Sequence, residues 1–210
     1  MTGDLDDDFF YEPDFLDPPA AAALEGYLES APRRDDPDLS VPTFAFFAPL
    51  VDGVRVAGRI EARAGWPVWD GHGPAPGAPM PPELETLAAS VTDRLQTADG
   101  LRTPTSPAPN AFTSVYVDRY PAGGKFVAHT DRDIYGPVVA GVSIGPGSCT
   151  LTFLFEGKPV FEHELRPRSL YAFAGRLRAA PCLHQVTGVS DVRFAISFRY
   201  AATGHGDCVQ

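Results

Sequence analysis

The sequence predicts an α+β chain, mainly β, with a double-stranded β-helix (jelly roll) core, N-terminal helices packed on it and a loop or strand lid. Three observations predict this. From Phe112 onward eight short strand-like runs follow one another, at 112–120, 125–131, 138–144, 149–156, 159–165, 169–174, 183–189 and 192–201. Turn signals at Pro121-Ala-Gly-Gly, Gly145-Pro-Gly and Glu156-Gly-Lys punctuate them, and many short strands with tight turns are typical of doubled or closed β architectures. Ahead of the strands stand two helical stretches, separated by a Gly- and Pro-rich run over 64–82. No internal repeat is present.

The 210 residues suit one domain, bounded at 13–201, and 44% hydrophobic residues suffice for a sizeable core. Residues 1–12 are strongly acidic, a composition that predicts disorder, and 202–210 read as a tail. Asp17-Pro18-Pro19 followed by Ala20 to Leu28 predicts a capped helix with proline in its first turn. Residues 31–40 form a polar loop, and Phe44-Ala-Phe-Phe and Val54 to Arg63 look extended. The lid is expected over about 44–80, because a long Gly/Pro-rich stretch on a compact domain is commonly a functional surface loop. Its Trp66 and Trp69 are read either as substrate contacts or as anchors packing the loop on the core. Pro81-Pro82 opens a helix with Leu84, Leu87, Val91 and Leu95 at helical spacing. Residues 99–110 are a proline-bearing linker into the catalytic β core at about 110–201.

No apolar run reaches the length of a membrane span and the first residues are acidic where a signal peptide is basic, so a cytoplasmic protein is expected. Cys149, Cys182 and Cys208 are an odd set without a Cys-X-X-Cys motif, which argues against a disulfide framework or a zinc-thiolate site. Cys182 is read as a small core residue, with a ligand role as the alternative.

The net charge of -10 is concentrated: residues 1–40 carry 12 acids and 2 bases, which leaves 15 of each in the other 170 residues. Between Arg166 and Arg199 there are six arginines (166, 168, 176, 178, 193 and 199) and a single acid, Asp191. Arg176 and Arg178 are therefore candidate phosphate contacts, with ordinary solvated loop charges as the equal alternative.

The chemistry concentrates in Asp118-Arg-Tyr-Pro-Ala-Gly-Gly-Lys-Phe-Val-Ala-His-Thr-Asp131. His129 and Asp131 lie two residues apart, and on an extended strand such a pair faces one side. A second imidazole follows at His184. Two imidazoles and a carboxylate make the facial triad of a non-haem Fe(II) oxygenase, with adjacent positions left open for co-substrate and dioxygen. In Val192 to Tyr200, Arg193 and Arg199 share one face and Phe194, Ile196 and Phe198 the other. The two arginines stand roughly 20 Å apart along the backbone, so long side chains leaning inward could meet a small dianion between them.

Over about residues 110–201 this order resembles the AlkB-type 2-oxoglutarate- and Fe(II)-dependent dioxygenases. The resemblance comprises Tyr120 nine residues before His129, the His129/Asp131 pair, Asp133, the distal His184, and Arg193 and Arg199 six apart in a hydrophobic strand. It implies that His129, Asp131 and His184 hold catalytic Fe(II). It implies further that Arg193 holds the distal carboxylate of 2-oxoglutarate, Arg199 sits near its C1 end and Tyr120 hydrogen-bonds it. Asp118 occupies a co-substrate position where the family pattern has asparagine, and an ionised aspartate accepts hydrogen bonds but donates none. Asp133 matches an acid that contacts the alkylated base, with an exposed loop acid as the alternative.

The activity implied is oxidation of a C–H bond with 2-oxoglutarate and dioxygen, releasing succinate and CO2; an oxidised N-methyl group leaves as formaldehyde. Alkylated, single-stranded nucleic acid is the substrate implied, as in alkylation damage repair, with the protein acting as a monomer away from membranes. An oxygenase for a small metabolite or a protein side chain on the same scaffold is the second reading. A non-catalytic binding module is the third.

Overall fold

The computed structural model of the chain describes residues 5–30, 34–36, 41–47, 50–51, 54–55, 82–97, 114–131 and 137–199. Its strands are β1 (Phe9–Glu12), β2 (Arg34–Asp36), β3 (Val41–Phe47), β4 (Leu50–Val51), β5 (Val54–Arg55), β6 (Ser114–Tyr120), β7 (Phe126–His129), β8 (Val139–Ile144), β9 (Cys149–Phe155), β10 (Lys158–Leu165), β11 (Leu170–Phe173), β12 (Leu183–Thr187) and β13 (Arg193–Arg199). The helices are α1 (Pro18–Ser30), α2 (Pro82–Gln96) and the single turn α3 (Gly175–Arg178). Seven strands form one sheet in the order β1-β11-β8-β13-β6-β3-β2, four form a second in the order β10-β9-β12-β7, and β4-β5 is a separate hairpin. This is the predicted jelly roll, and each of the eight predicted strands is present within a few residues of its expected bounds.

Two apolar layers hold it together. On the outer face of the large sheet, Val115, Val117, Val142, Ile144, Phe194, Ile196 and Phe198 pack against Leu24 and Leu28 of α1 and Leu84, Leu87 and Val91 of α2. Each such buried side chain contributes about 1.5–3 kcal/mol relative to exposure. Asp17 caps α1 as expected, its Oδ1 accepting from the Ala20 amide at 2.7 Å. Between the sheets lies an inner layer of Tyr120, Leu151, Phe153, Tyr171, Phe173 and Ala195. In β13 the period of two therefore splits Phe194, Ile196 and Phe198 from Ala195, as the alternation predicts. In β8 every residue is buried, because one face meets the helices and the other the inner layer.

The N-terminal segment corrects an expectation. Leu5–Asp8 forms a 3-10 turn, and β1 pairs with β11 in the register Phe9↔Phe173 to Glu12↔Leu170. Acid content masks an amphipathic strand: Phe9 and Tyr11 pack on the inner layer, while Phe10 packs on the outer one. Phe44–Phe47, at the start of the expected lid, belong to β3, which pairs with β6 in the large sheet. Trp66, Trp69, Asp133 and the 202–210 tail lie outside the described residues.

The strands β1 and β10 end their respective sheets, and rings close the gap between them. His163 of β10 lies 4.2 Å from the Tyr11 ring and 5.0 Å from that of Phe9. Burial lowers the His163 pKa below its ordinary 6.5, against the opposing pull of Glu164. A folded-state pKa below the unfolded one contributes stability that is complete above the unfolded value and is lost as pH falls through the folded one. The fall in melting temperature from about pH 7 to about pH 5 is therefore expected to be smaller in His163→Phe than in the wild type. Equal falls in thermal melts would show that His163 is not held neutral.

Candidate metal centre and anion pocket

The strands β7 and β12 are neighbours in the small sheet, with His129 directly opposite His184. Cross-strand partners project to the same face, and the two imidazole centroids lie 4.2 Å apart. Asp131, just past the end of β7, brings its Oδ2 to 3.7 Å from His184 Nε2. One ligand atom from each of His129, Asp131 and His184 falls within 4.8 Å of the other two. Asp131 and His184 are each only 8% exposed, and the rings of Phe173 and Phe153 flank His184 at 5.0 and 6.0 Å. His129 Nδ1 is 2.9 Å from the Val127 carbonyl. A carbonyl only accepts, so Nδ1 carries the proton and the Nε2 lone pair is left for a ligand-binding role.

The loop bearing Asp131 is fastened from two sides. Thr130 Oγ1 donates to the Cys182 carbonyl at 2.9 Å, tying it to the approach to β12. Arg178 Nη1 donates to the Asp131 main-chain carbonyl at 3.0 Å. Cys182 is buried in the inner layer, which matches its reading as a core residue.

The second part of the site is the buried guanidinium of Arg193, which is 0% exposed. Arg193 pairs across strands with Tyr120, and its guanidinium lies 5.4 Å from the centre of that ring. Its Nε donates to Ser143 Oγ at 2.9 Å. The Tyr171 hydroxyl stands beside the guanidinium, yet neither Nη1 nor Nη2 has an acceptor in hydrogen-bonding geometry. Tyr120 is pushed well above its usual range by burial first and the Asp118 carboxylate second, against the opposing pull of Arg193. It is thus a neutral O–H donor at any working pH.

Two residues missed in the sequence surround this guanidinium. Tyr171 leans across Gly141, where a Cβ would overlap the tyrosine ring, so a glycine is required there. Ser143 is the partner of Arg193 Nε. The alternation Leu170, Ala172 against Tyr171, Phe173 is the signal that could have found Tyr171. Since Tyr171 stands beside Arg193 and Phe173 beside His184, one two-residue strand step of about 7 Å relates the guanidinium end to the imidazole end.

Asp118 sits two residues before Tyr120 and opposite Ala195 of β13, on the inner side of the sheet. An amide there would keep the shape and add a donor toward an anion. Asp118→Asn is expected to tighten 2-oxoglutarate binding several-fold, since an acceptor-only group beside a dianion becomes a donor. A weaker or unchanged dissociation constant in calorimetry would remove Asp118 from the pocket wall.

The two candidate phosphate contacts, Arg176 and Arg178, each have a partner within the chain. Arg178 is 7% exposed and committed to the Asp131 loop. Arg176 Nε pairs with the buried Asp8 carboxylate at 2.7 Å. Arg166 pairs with Glu164 at 3.0 Å, and Arg168 pairs with Asp14. For Arg168 and Arg176 the partners are acids of the N-terminal segment, distant in sequence and invisible in a local window. Arg199 ends β13 opposite Ser114, with its side chain outside the described residues.

A jelly roll that brings two imidazoles and a carboxylate together on its small sheet, beside a buried guanidinium, combines a double-stranded β-helix with a facial-triad ligand set. Solved structures share this fold. The chain is similar to OsALKBH1, with a TM-score of 0.61 and 16% identity over 91% of this chain and 96% of that one. It is similar to a Pseudomonas putida prolyl-4-hydroxylase at a TM-score of 0.54 and 15% identity, over 92% of each chain. A Trichoplax adhaerens prolyl hydroxylase, in complex with a hypoxia inducible factor oxygen degradation domain peptide fragment, gives 0.51 and 16% over 97% of this chain and 88% of that one. No protein-family model and no curated protein sequence matches the chain.

Proposed function

We propose that this protein is an Fe(II)- and 2-oxoglutarate-dependent dioxygenase that oxidatively dealkylates N-alkylated nucleic-acid bases, releasing formaldehyde, succinate and CO2. The observation that carries the oxygenase reading is the pairing of two things inside one jelly roll. Three ligand atoms of His129, Asp131 and His184 lie within 4.8 Å of one another. Beside them a buried arginine offers two terminal nitrogens without acceptors.

The donor set fits Fe(II), which takes imidazole and carboxylate well. The buried Arg193 guanidinium suits a carboxylate of a short diacid, because its planar fork pairs two oxygens at once. Bound Fe(II), with 2-oxoglutarate and dioxygen, would supply the oxidation of a C–H bond. The chain's own contribution is position and exclusion of water. His129, Asp131 and His184 would hold one face of the metal. Arg193 would take the distal carboxylate, with the Tyr120 hydroxyl as a neutral donor to it, and Arg199 would lie toward the C1 end. Phe153 and Phe173 shield the His184 side from solvent. A base held in a duplex would have to be flipped out to reach this centre, which favours single-stranded substrate.

Support for a nucleic-acid substrate comes from the AlkB-type order of residues over 110–201 and from the likeness to OsALKBH1. Trp66, Trp69 and Asp133 are the proposed substrate contacts. Oxidation of a protein side chain is the second reading, favoured by the likeness to two prolyl hydroxylases and by the engagement of Arg166, Arg168 and Arg176 with acids of the chain. The test is incubation with Fe(II), 2-oxoglutarate and N-methylated single-stranded oligonucleotides, in parallel with proline-containing peptides. Formaldehyde formed in step with succinate on the oligonucleotides is the expected result. Substrate-dependent succinate with peptides alone would replace the first reading by the second.

A further inference from the structure

We infer that Arg178 is a positioning residue for the metal centre and that the N-terminal segment, through Asp8, holds it in place. This rests on the proposed metal-binding role of His129, Asp131 and His184. Arg178 is buried, and its Nη1 donates to the main-chain carbonyl of Asp131 at 3.0 Å. Asp131 lies beyond the end of β7, so no strand pairing holds its backbone in register. A rigid, planar donor reaching this carbonyl takes the place of that pairing and sets where the carboxylate points.

Arg178 owes its own place to α3, a single turn too short to stand without tertiary support. Asp8 supplies the support from some 170 residues away. Its main-chain carbonyl accepts from the Ala174 amide at 3.0 Å. Its Oδ2 accepts from the Arg176 amide at 3.2 Å and from Arg176 Nε at 2.7 Å. Gly175 between them has a φ of 52°, and a Cβ there would overlap the Asp8 carboxylate. The fit between the N-terminal acid and α3 is thus built for this one approach. The chain of contacts runs from Asp8 to α3, from α3 through Arg178 to Asp131, and so to the ligand set. Partners that orient a metal's ligands from behind carry affinity without touching the ion.

Anaerobic titration with Co(II), a spectroscopically visible stand-in for Fe(II), tests this on the full chain. The wild type is expected to bind one equivalent with a ligand-field spectrum. Arg178→Met is expected to bind about 10- to 100-fold more weakly, with an altered spectrum. Arg178→Lys restores one donor and is expected to recover part of the affinity. Asp8→Asn keeps the shape but removes charge from the Arg176 pair, and is expected to weaken binding by a smaller factor. Arg119→Met provides the stability control, since Arg119 pairs with Glu29 at 3.1 Å and lies over the Phe194 ring on the outer side of the sheet. It is expected to leave Co(II) affinity unchanged even if its melting temperature falls. Should Arg178→Met fail to fold, the Lys and Asp8 variants decide the matter. Affinity and spectrum within twofold of wild type in both Arg178→Lys and Asp8→Asn, together with any folded Arg178→Met, would overturn the inference while leaving the metal site intact. A wild type that binds no Co(II) would instead overturn the metal-site reading itself.

Discussion

His184→Ala is expected to lower affinity for Fe(II) or Co(II) by more than about 100-fold and to reduce turnover to background. A ligand lost outright exceeds the 10- to 100-fold typical of an outer partner. The ring is held opposite His129 by the register of β7 and β12 and lies between Phe153 and Phe173. No other histidine approaches the set among the described residues, since the third described one, His163, belongs to the ring cluster at the sheet edges. The same variant is expected to lose metal-dependent stabilisation. Saturating metal raises the wild-type melting temperature because it binds only the folded chain, whereas it leaves the variant's unmoved. Retained metal-dependent stabilisation in His184→Ala would remove His184 from the ligand set.

Arg193→Met has the second large effect, and its two parts run in opposite directions. A guanidinium with no exposed surface, whose Nε donates to Ser143 Oγ but whose two terminal nitrogens lack acceptors, carries a desolvation cost that is met only in part. Methionine fills similar volume without that cost, so the ligand-free protein is expected to keep or gain stability, by up to about 4 kcal/mol. Binding of 2-oxoglutarate is expected to weaken by about 100- to 1000-fold, since removing one partner of a buried charge pair costs 2–5 kcal/mol or more. Thermal melts with and without 2-oxoglutarate read both at once. A variant much less stable than wild type, with unchanged 2-oxoglutarate affinity, would make Arg193 a structural arginine.

The strands were legible because their alternation is clean. Phe194, Ile196 and Phe198 against Arg193 and Ala195 could be assigned to opposite faces by period alone. The candidate ligand triad was legible by residue type and spacing. The pairing that brings His129 opposite His184 was not, because it joins strands far apart in sequence and no local pattern encodes that register. Composition misled at the N-terminus, where four acids in the first eight residues hid the Phe9-Phe10-Tyr11 strand and the buried partner that Asp8 offers Arg176. The same blindness to distant partners made the buried Arg178 look like a surface cation and the exposed Arg176 look unpaired. Tyr171 went unnoticed because its role depends on the bare backbone of Gly141 in the neighbouring strand.

The central claim is that the triad and the Arg193 pocket together hold a metal and a diacid. Anaerobic addition of 2-oxoglutarate to the Fe(II)-loaded protein tests it most directly. A visible charge-transfer band that saturates at one equivalent, and that is absent in both His184→Ala and Arg193→Met, is the predicted result. No band at saturating 2-oxoglutarate, or a band undiminished in those variants, would contradict it.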